Sequence, residues 1–191
     1  MDVLRPARGA YVRWLRRRIA DGPIPCHVGL IMDGNRRWAR SMGLADTSLG
    51  HRYGARRAED LLRWCERVGI AHVTVYLCST ENLLRRGRGE VDALMDVIET
   101  GLARSLEAGT WRVHTAGMLD ALPDSTVRAL KDAVEQTSTL STGQDVTLAI
   151  GYGGQQEILD AVRDLLYERA ALGETPADVA ERLTIDDIAR H

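Results

Sequence analysis

Three clusters in this sequence combine the residue types that handle phosphate. The first is Asp33-Gly34-Asn35-Arg36-Arg37-Trp38, at the close of an apolar run over 26–33. Gly34 permits a tight turn, and the backbone N–H groups opening a following helix form an anion site. Arg36 and Arg37 add fork-shaped donors that fit phosphate oxygens. Asp33 puts a carboxylate beside that site, and two negative groups together call for a bridging cation such as Mg²⁺. The cluster thus reads as a diphosphate–metal site, although the same tripeptide also makes an ordinary turn with a solvated arginine pair. The second cluster is Ser79-Thr80-Glu81-Asn82, followed by Arg85, Arg86 and Arg88. It offers hydroxyls, a carboxylate, an amide and guanidiniums; its plainer reading is a helix N-cap and a basic turn. The third, Gly151-Tyr152-Gly153-Gly154, is either a phosphate nest or a simple glycine turn. His51, between Gly50 and Gly54, stands near a helix start, where an imidazole can donate to an anion. His27, His72 and His114 show no metal-like spacing and read as structural.

These clusters need elements to position them. Four β-like runs (26–33, 71–79, 111–116 and 145–151) alternate with helical periodicity over about 51–68, 89–107, 124–137 and 153–172, with a short stretch near 176–190. In 89–107, Val91, Leu94, Met95, Ile98, Leu102 and Leu106 recur at three- and four-residue steps. Strands alternating with helices of this length predict an α/β fold: one domain over 24–191, with a central, mostly parallel sheet flanked by helices. Such sheets bind ligands beyond the carboxyl ends of their strands, where all three clusters fall. Residues 1–23 read as a separate N-terminal segment. Within it, 9–20 form a basic amphipathic helix, with Tyr11, Leu15 and Ile19 on one stripe beside Val12 and Trp14. Arg13, Arg16, Arg17 and Arg18 follow the other surface. Such a helix packs its stripe on its own domain or lies on an acidic membrane, and the first is the expectation.

Composition narrows the class. A chain of 191 residues, 45% apolar and 27% charged, suits one globular domain. A net charge of −2 gives no global field to recruit nucleic acid. Cys26, Cys65 and Cys78 are widely spaced and odd in number, which fits a reducing cytoplasm and neither a disulfide framework nor a zinc site. No run approaches the ~18 apolar residues of a spanning helix. The sequence has no GxxxxGK[ST], GxGxxG or GxSxG motif, which weighs against triphosphatase, dinucleotide and esterase chemistry. It also lacks the DDxxD of all-helical prenyl synthases.

The stretch His27 to Ala39, reading HVGLIMDGNRRWA, resembles the first signature of the cis-prenyltransferases, the undecaprenyl diphosphate synthases and their relatives. Gly50-His51-Arg52-Tyr53-Gly54, Tyr76 to Asn82 and Tyr152 to Ile158 are similar to that family's later blocks, in its order. The resemblance implies an enzyme that condenses isopentenyl diphosphate with an allylic diphosphate, needs Mg²⁺ and forms a homodimer. It implies that Asp33 holds the metal and that Gly34, Asn35, Arg36, Arg37 and Trp38 cradle the allylic diphosphate, with His51 as a further donor. Ser79, Thr80, Glu81, Asn82 and Arg85 would line the reacting centre. Asn82 matches a position assigned as proton acceptor; an amide is a poor base, so Asn35 or the diphosphate itself is an alternative.

The sequence departs from the pattern in several places. No arginine lies within 44–49, Leu83 replaces an aromatic residue, and Gln155 stands where an arginine is common. The family's Arg-Thr-Ser-Gly-Glu-like segment and downstream metal-binding glutamate do not occur before His191, so the expected C-terminal strands are absent from this sequence. A non-catalytic subunit or an allylic-diphosphate cyclase on the same fold are the competing readings, and retention of Asp33, His51 and Asn82 favours the synthase. Leu77 speaks to product length. Side chains alternate along a strand, so Leu77 and Ser79 should share a face. A leucine there, where long-chain members carry a small residue, resembles the short-chain actinobacterial enzymes making (2Z,6E)-farnesyl diphosphate rather than medium- or long-chain polyprenyl products.

Overall fold

The computed structural model describes residues 5–20, 22–141 and 143–190. Residues 1–4 and 21 of the expected N-terminal segment therefore lie outside it. The elements run α1 (Arg5–Ala20), β1 (His27–Ile31), α2 (Asn35–Ser41), α3 (Ser48–Arg67), β2 (His72–Cys78), α4 (Thr80–Arg85) and α5 (Arg88–Ala108). Then follow β3 (Trp111–Ala116), a single 3₁₀ turn at Leu119–Ala121, α6 (Asp124–Thr137), β4 (Gln144–Ile150), α7 (Gly154–Ala171), α8 (Pro176–Arg182) and α9 (Ile185–Ala189). The four strands form one parallel sheet in the order β1-β2-β4-β3. The α/β architecture predicted from the alternating periodicities is therefore the one observed.

Period-two alternation sorts the strand residues onto two unlike faces. Val73, Val75, Val113 and Val146 are buried under helices, forming two contiguous apolar clusters with α3, α5 and α6. The opposite face is polar. His27, His72, Asp145 and Arg112 sit in register across all four strands, with His27 bonded to Thr74 Oγ1 (2.8 Å) and His114 to Asp145 Oδ1 (2.8 Å). The His114 hydrogen bond first, then the charges of Arg112, His114 and His72, hold the Asp145 carboxyl below its usual range, while burial pulls the other way. These ties also give structural work to the three histidines without metal-like spacing.

Helix α5 follows from its sequence directly. Its three- and four-residue apolar steps bury Leu94, Met95, Ile98 and Leu102, and Gly109 ends it at φ 64°, the left-handed cap that glycine adopts without strain. Helix α1 departs from expectation. Its stripe was expected to pack on the domain, but Tyr11, Val12, Trp14, Leu15 and Ile19 all remain exposed. Their contacts are local: Tyr11 stacks on Trp14, whose ring also carries the Arg18 guanidinium. With four arginines among the apolar side chains, the helix has no clean face to bury. No helix among the described residues is long and apolar enough to cross a membrane.

Candidate active site

The carboxyl ends of the strands bring two of the sequence clusters together. Ile31 pairs with Tyr76, so the loop carrying Asp33 leaves the sheet beside the one carrying Ser79. Gly34 takes φ 88°, a conformation glycine adopts freely, and starts α2 without any side-chain cap. The first-turn N–H groups of α2 therefore keep no internal partner. Asp33 is exposed; it accepts from the Gly34 N–H (2.5 Å) and from Arg37 (2.9 Å). Trp38 is half exposed and tilts against Tyr53, with ring centroids 4.8 Å apart.

Asn35 is fixed by two glycines that α3 presents one turn apart. A Cβ at Gly50 would overlap the Asn35 carbonyl oxygen, and one at Gly54 would stand 2.5 Å from its Oδ1. The Gly-His-Arg-Tyr-Gly block thus clears a path for α2 on both sides of His51. His51 itself is not the surface histidine of the plainer reading; it is buried, 7% exposed. Burial, and then the Arg86 guanidinium, hold its imidazole below the usual range, with Glu90 pulling the other way. Glu90 Oε1 stands 3.9 Å from His51 Nε2, 3.4 Å from Arg86 Nε and 3.5 Å from Arg36 Nη1.

Behind α2 lies an apolar cavity of about 120 Å³ between the sheet and helices α3 and α5. Val75, Leu77, Val146 and Leu148 form its floor, and Leu94, Ile98 and Leu102 one wall. Asn35, His51 and Arg86 are polar groups in its lining beside α2, and Glu59 and Ser105 are further polar groups farther along α3 and α5. Leu77 faces the cavity, but Ser79 does not line it, contrary to simple alternation. The strand register shifts between Tyr76 and Cys78, breaking the period of two before Ser79 is reached. Ser79 instead caps α4, accepting from the Asn82 N–H at 3.0 Å. Thr80 donates to the Gly151 carbonyl (2.6 Å) and Tyr76 to the Tyr152 carbonyl (3.0 Å), tying the loops after β2 and β4 together. Glu81, Asn82 and Arg85 are exposed at this rim.

The sequence singled out Arg85 and mentioned Arg86 only within a basic run. The fold reverses their weight, leaving Arg85 outside and burying Arg86 to 13% side-chain exposure. The spacing of Arg86 and Glu90, four apart, was the available signal.

Comparison with known proteins shows the family and the fold. Residues 31–190 match the prenyltransferase family model described as "Putative undecaprenyl diphosphate synthase". The chain belongs to the undecaprenyl diphosphate synthase family, a family of prenyltransferase enzymes. It is 60% identical over 184 residues to an isoprenyl transferase of Streptomyces fradiae, covering 95% of this chain and 71% of that one. It is 47% identical to a (2Z,6E)-farnesyl diphosphate synthase of Thermobifida fusca, over 100% of this chain and 74% of the relative. The enzyme of that name from Mycolicibacterium smegmatis is 41% identical, over 100% and 75%. Among solved structures, a Lavandula x intermedia lavandulyl diphosphate synthase in complex with dimethylallyl diphosphate superposes with a TM-score of 0.75. That match has 26% identity and covers 87% of this chain and 70% of that one.

Proposed function

We propose that this protein is a short-chain cis-prenyl diphosphate synthase. It condenses isopentenyl diphosphate with an allylic diphosphate, geranyl or dimethylallyl, and releases diphosphate. The observation that carries this reading is a mostly apolar cavity that meets Asn35, His51 and Arg86 beside strand ends carrying anion-binding groups. An allylic diphosphate has that same division into apolar tail and charged head. Two relatives named (2Z,6E)-farnesyl diphosphate synthase support the same product class.

In this reading Arg36, Arg37 and the first-turn N–H groups of α2 hold the allylic diphosphate, with His51 as a further donor. The allylic C–O bond breaks and its electron pair leaves on the diphosphate. The isopentenyl double bond attacks the allylic carbon, and one proton is lost from the adjacent methylene. Arg36 and Arg37 stabilise charge as it builds on the leaving group. Asn82 or Asn35 would guide the proton, and the released diphosphate is the stronger base. Ser79, Thr80, Glu81 and Arg85 hold the rim of the reacting centre, and Trp38 walls the head group.

A divalent cation, Mg²⁺ in this reading, fits the donor chemistry at Asp33. No three metal-ligating side chains come together among the described residues, so one exposed carboxylate suits an ion held chiefly by substrate phosphates and water. When bound, the ion supplies charge stabilisation to the departing diphosphate. We further read the protein as a homodimer, for which sedimentation should give twice the monomer mass.

The test is incubation with radiolabelled isopentenyl diphosphate and geranyl diphosphate, with Mg²⁺ and with chelator. Metal-dependent incorporation into a fifteen-carbon diphosphate is expected. Consumption of geranyl diphosphate without incorporation would refute the synthase reading in favour of a cyclase.

A further inference from the structure

Arg36, His51, Arg86 and Glu90 come from α2, α3, the end of α4 and the first turn of α5, and they converge on one point. Two guanidiniums and an imidazole face a single carboxylate. With His51 neutral, the cluster keeps one surplus positive charge, most of it withdrawn from water.

The contacts to Glu90, between 3.4 and 3.9 Å, are ion pairs too long or misaligned to be hydrogen bonds. Arg86 Nε and Nη1, His51 Nε2 and Glu90 Oε1 are all buried without a hydrogen-bond partner. A buried guanidinium with idle N–H groups is costly unless an acceptor fills the gap. Such gaps in a folded protein call for a specific explanation, of which a visiting ligand is one. Arg86 and His51 both line the apolar cavity together with Asn35, so an acceptor reaching them would carry its apolar part toward Leu77 and Leu94.

We propose that Arg86 is a further substrate-binding residue. With His51, it grips the diphosphate of the allylic substrate where the cavity meets Asn35, and Glu90 is the counter-ion that this diphosphate displaces. The inference rests on the substrate class proposed above and adds a residue and an exchange of ion pairs to it. Glu90 offers the cluster one acceptor group and one negative charge. A diphosphate offers several oxygens and more than one charge, so Arg86 can trade a misaligned pair for bidentate bonding. Displaced Glu90 keeps its place beside Arg36, which is 44% exposed and can turn its other N–H groups to the same diphosphate.

The experiment is calorimetric titration with geranyl S-thiolodiphosphate, which carries the diphosphate but resists ionisation, together with steady-state kinetics. Arg86→Met should weaken binding by about 10- to 100-fold, the loss of charged hydrogen bonds, and Arg86→Lys by less. Glu90→Gln should bind the analogue as tightly as wild type or more so. Arg86→Met should also raise KM for the allylic substrate and leave that for isopentenyl diphosphate unmoved. Melting curves report whether each variant folds; if Arg86→Met does not, Arg86→Lys and Glu90→Gln decide. A folded Arg86→Met or Arg86→Lys that binds within twofold of wild type overturns the proposal. So does a Glu90→Gln that binds as poorly as Arg86→Met, since the pair would then be purely structural. Wild type that ignores the analogue overturns the allylic-diphosphate reading itself.

Discussion

Replacing Leu77 by alanine should lengthen the product. Leu77 stands on the cavity floor between the two apolar clusters and touches both. Each condensation adds five carbons, and burying them is worth roughly 4 kcal/mol if the wall leaves room, at about 0.8 kcal/mol per methylene. Forcing them against a packed wall instead costs about 1–3 kcal/mol. The difference is large enough that one side chain decides whether a further condensation is accommodated. The substitution has a price in stability. Leu77 is only partly buried, so truncation should cost about 2 kcal/mol, the low end for leucine to alanine. That corresponds to a Tm lower by about 4–8 °C in a chain of this size, leaving the variant folded at assay temperature. The assay uses radiolabelled isopentenyl diphosphate, geranyl diphosphate and reversed-phase chromatography of the dephosphorylated products. Wild type should stop at fifteen carbons and Leu77→Ala should shift toward twenty or more. A folded Leu77→Ala with an unchanged short product would refute the reasoning, as would wild type that already makes long chains.

Asp33→Ala should lower kcat by about 10³-fold or more, the loss of a principal electrostatic stabiliser, while melting barely moves because Asp33 is exposed. Mg²⁺-dependent turnover within a few-fold of wild type would remove Asp33 from the metal site. Gly54→Ala should destabilise by about 1–3 kcal/mol, although glycine to alanine within a helix ordinarily gains about 0.5–1 kcal/mol, because the new Cβ displaces Asn35. Chemical denaturation measures it, and a stabilised variant would contradict the close approach of α2 to α3. His51 is held below its usual pKa, so the unfolded chain binds the proton more readily and acid favours unfolding. The stability this gives is present above the unfolded value of about 6.5 and is lost as pH falls toward the lowered folded value. Wild-type Tm should therefore drop more between pH 7 and pH 5 than that of His51→Gln; parallel curves would remove His51 from the account.

Most of the architecture was legible because its periods are long and uninterrupted. The steps from Val91 to Leu106 leave little choice but a helix, and the runs ending near Asp33 and Ser79 reappear as β1 and β2 within a residue or two. The short helices α2 and α4 were legible only at their starts, from Gly34 and the Ser79 cap, since seven and six residues hold too few repeats to show a period. Position within the site was harder. Alternation placed Leu77 on the cavity side but carried Ser79 with it, and the register shift before Cys78 cannot be seen in the letters. The sequence likewise could not rank Arg86 over Arg85, because which one is buried depends on where Glu90 of the next helix lands.

The cavity wall made by α5 has a consequence for how such an enzyme measures. Leu94, Ile98 and Leu102 are spaced four residues apart, so they mark the wall at intervals of about 6 Å. In the proposed reaction, a helix laid along the cavity acts as a ruler with fixed graduations while the product grows by five-carbon increments. Thinning one graduation at a time should therefore move the stopping point in whole steps, not by a gradual blur. On that view chain length behaves as a digit, rewritten by single substitutions along one face of one helix.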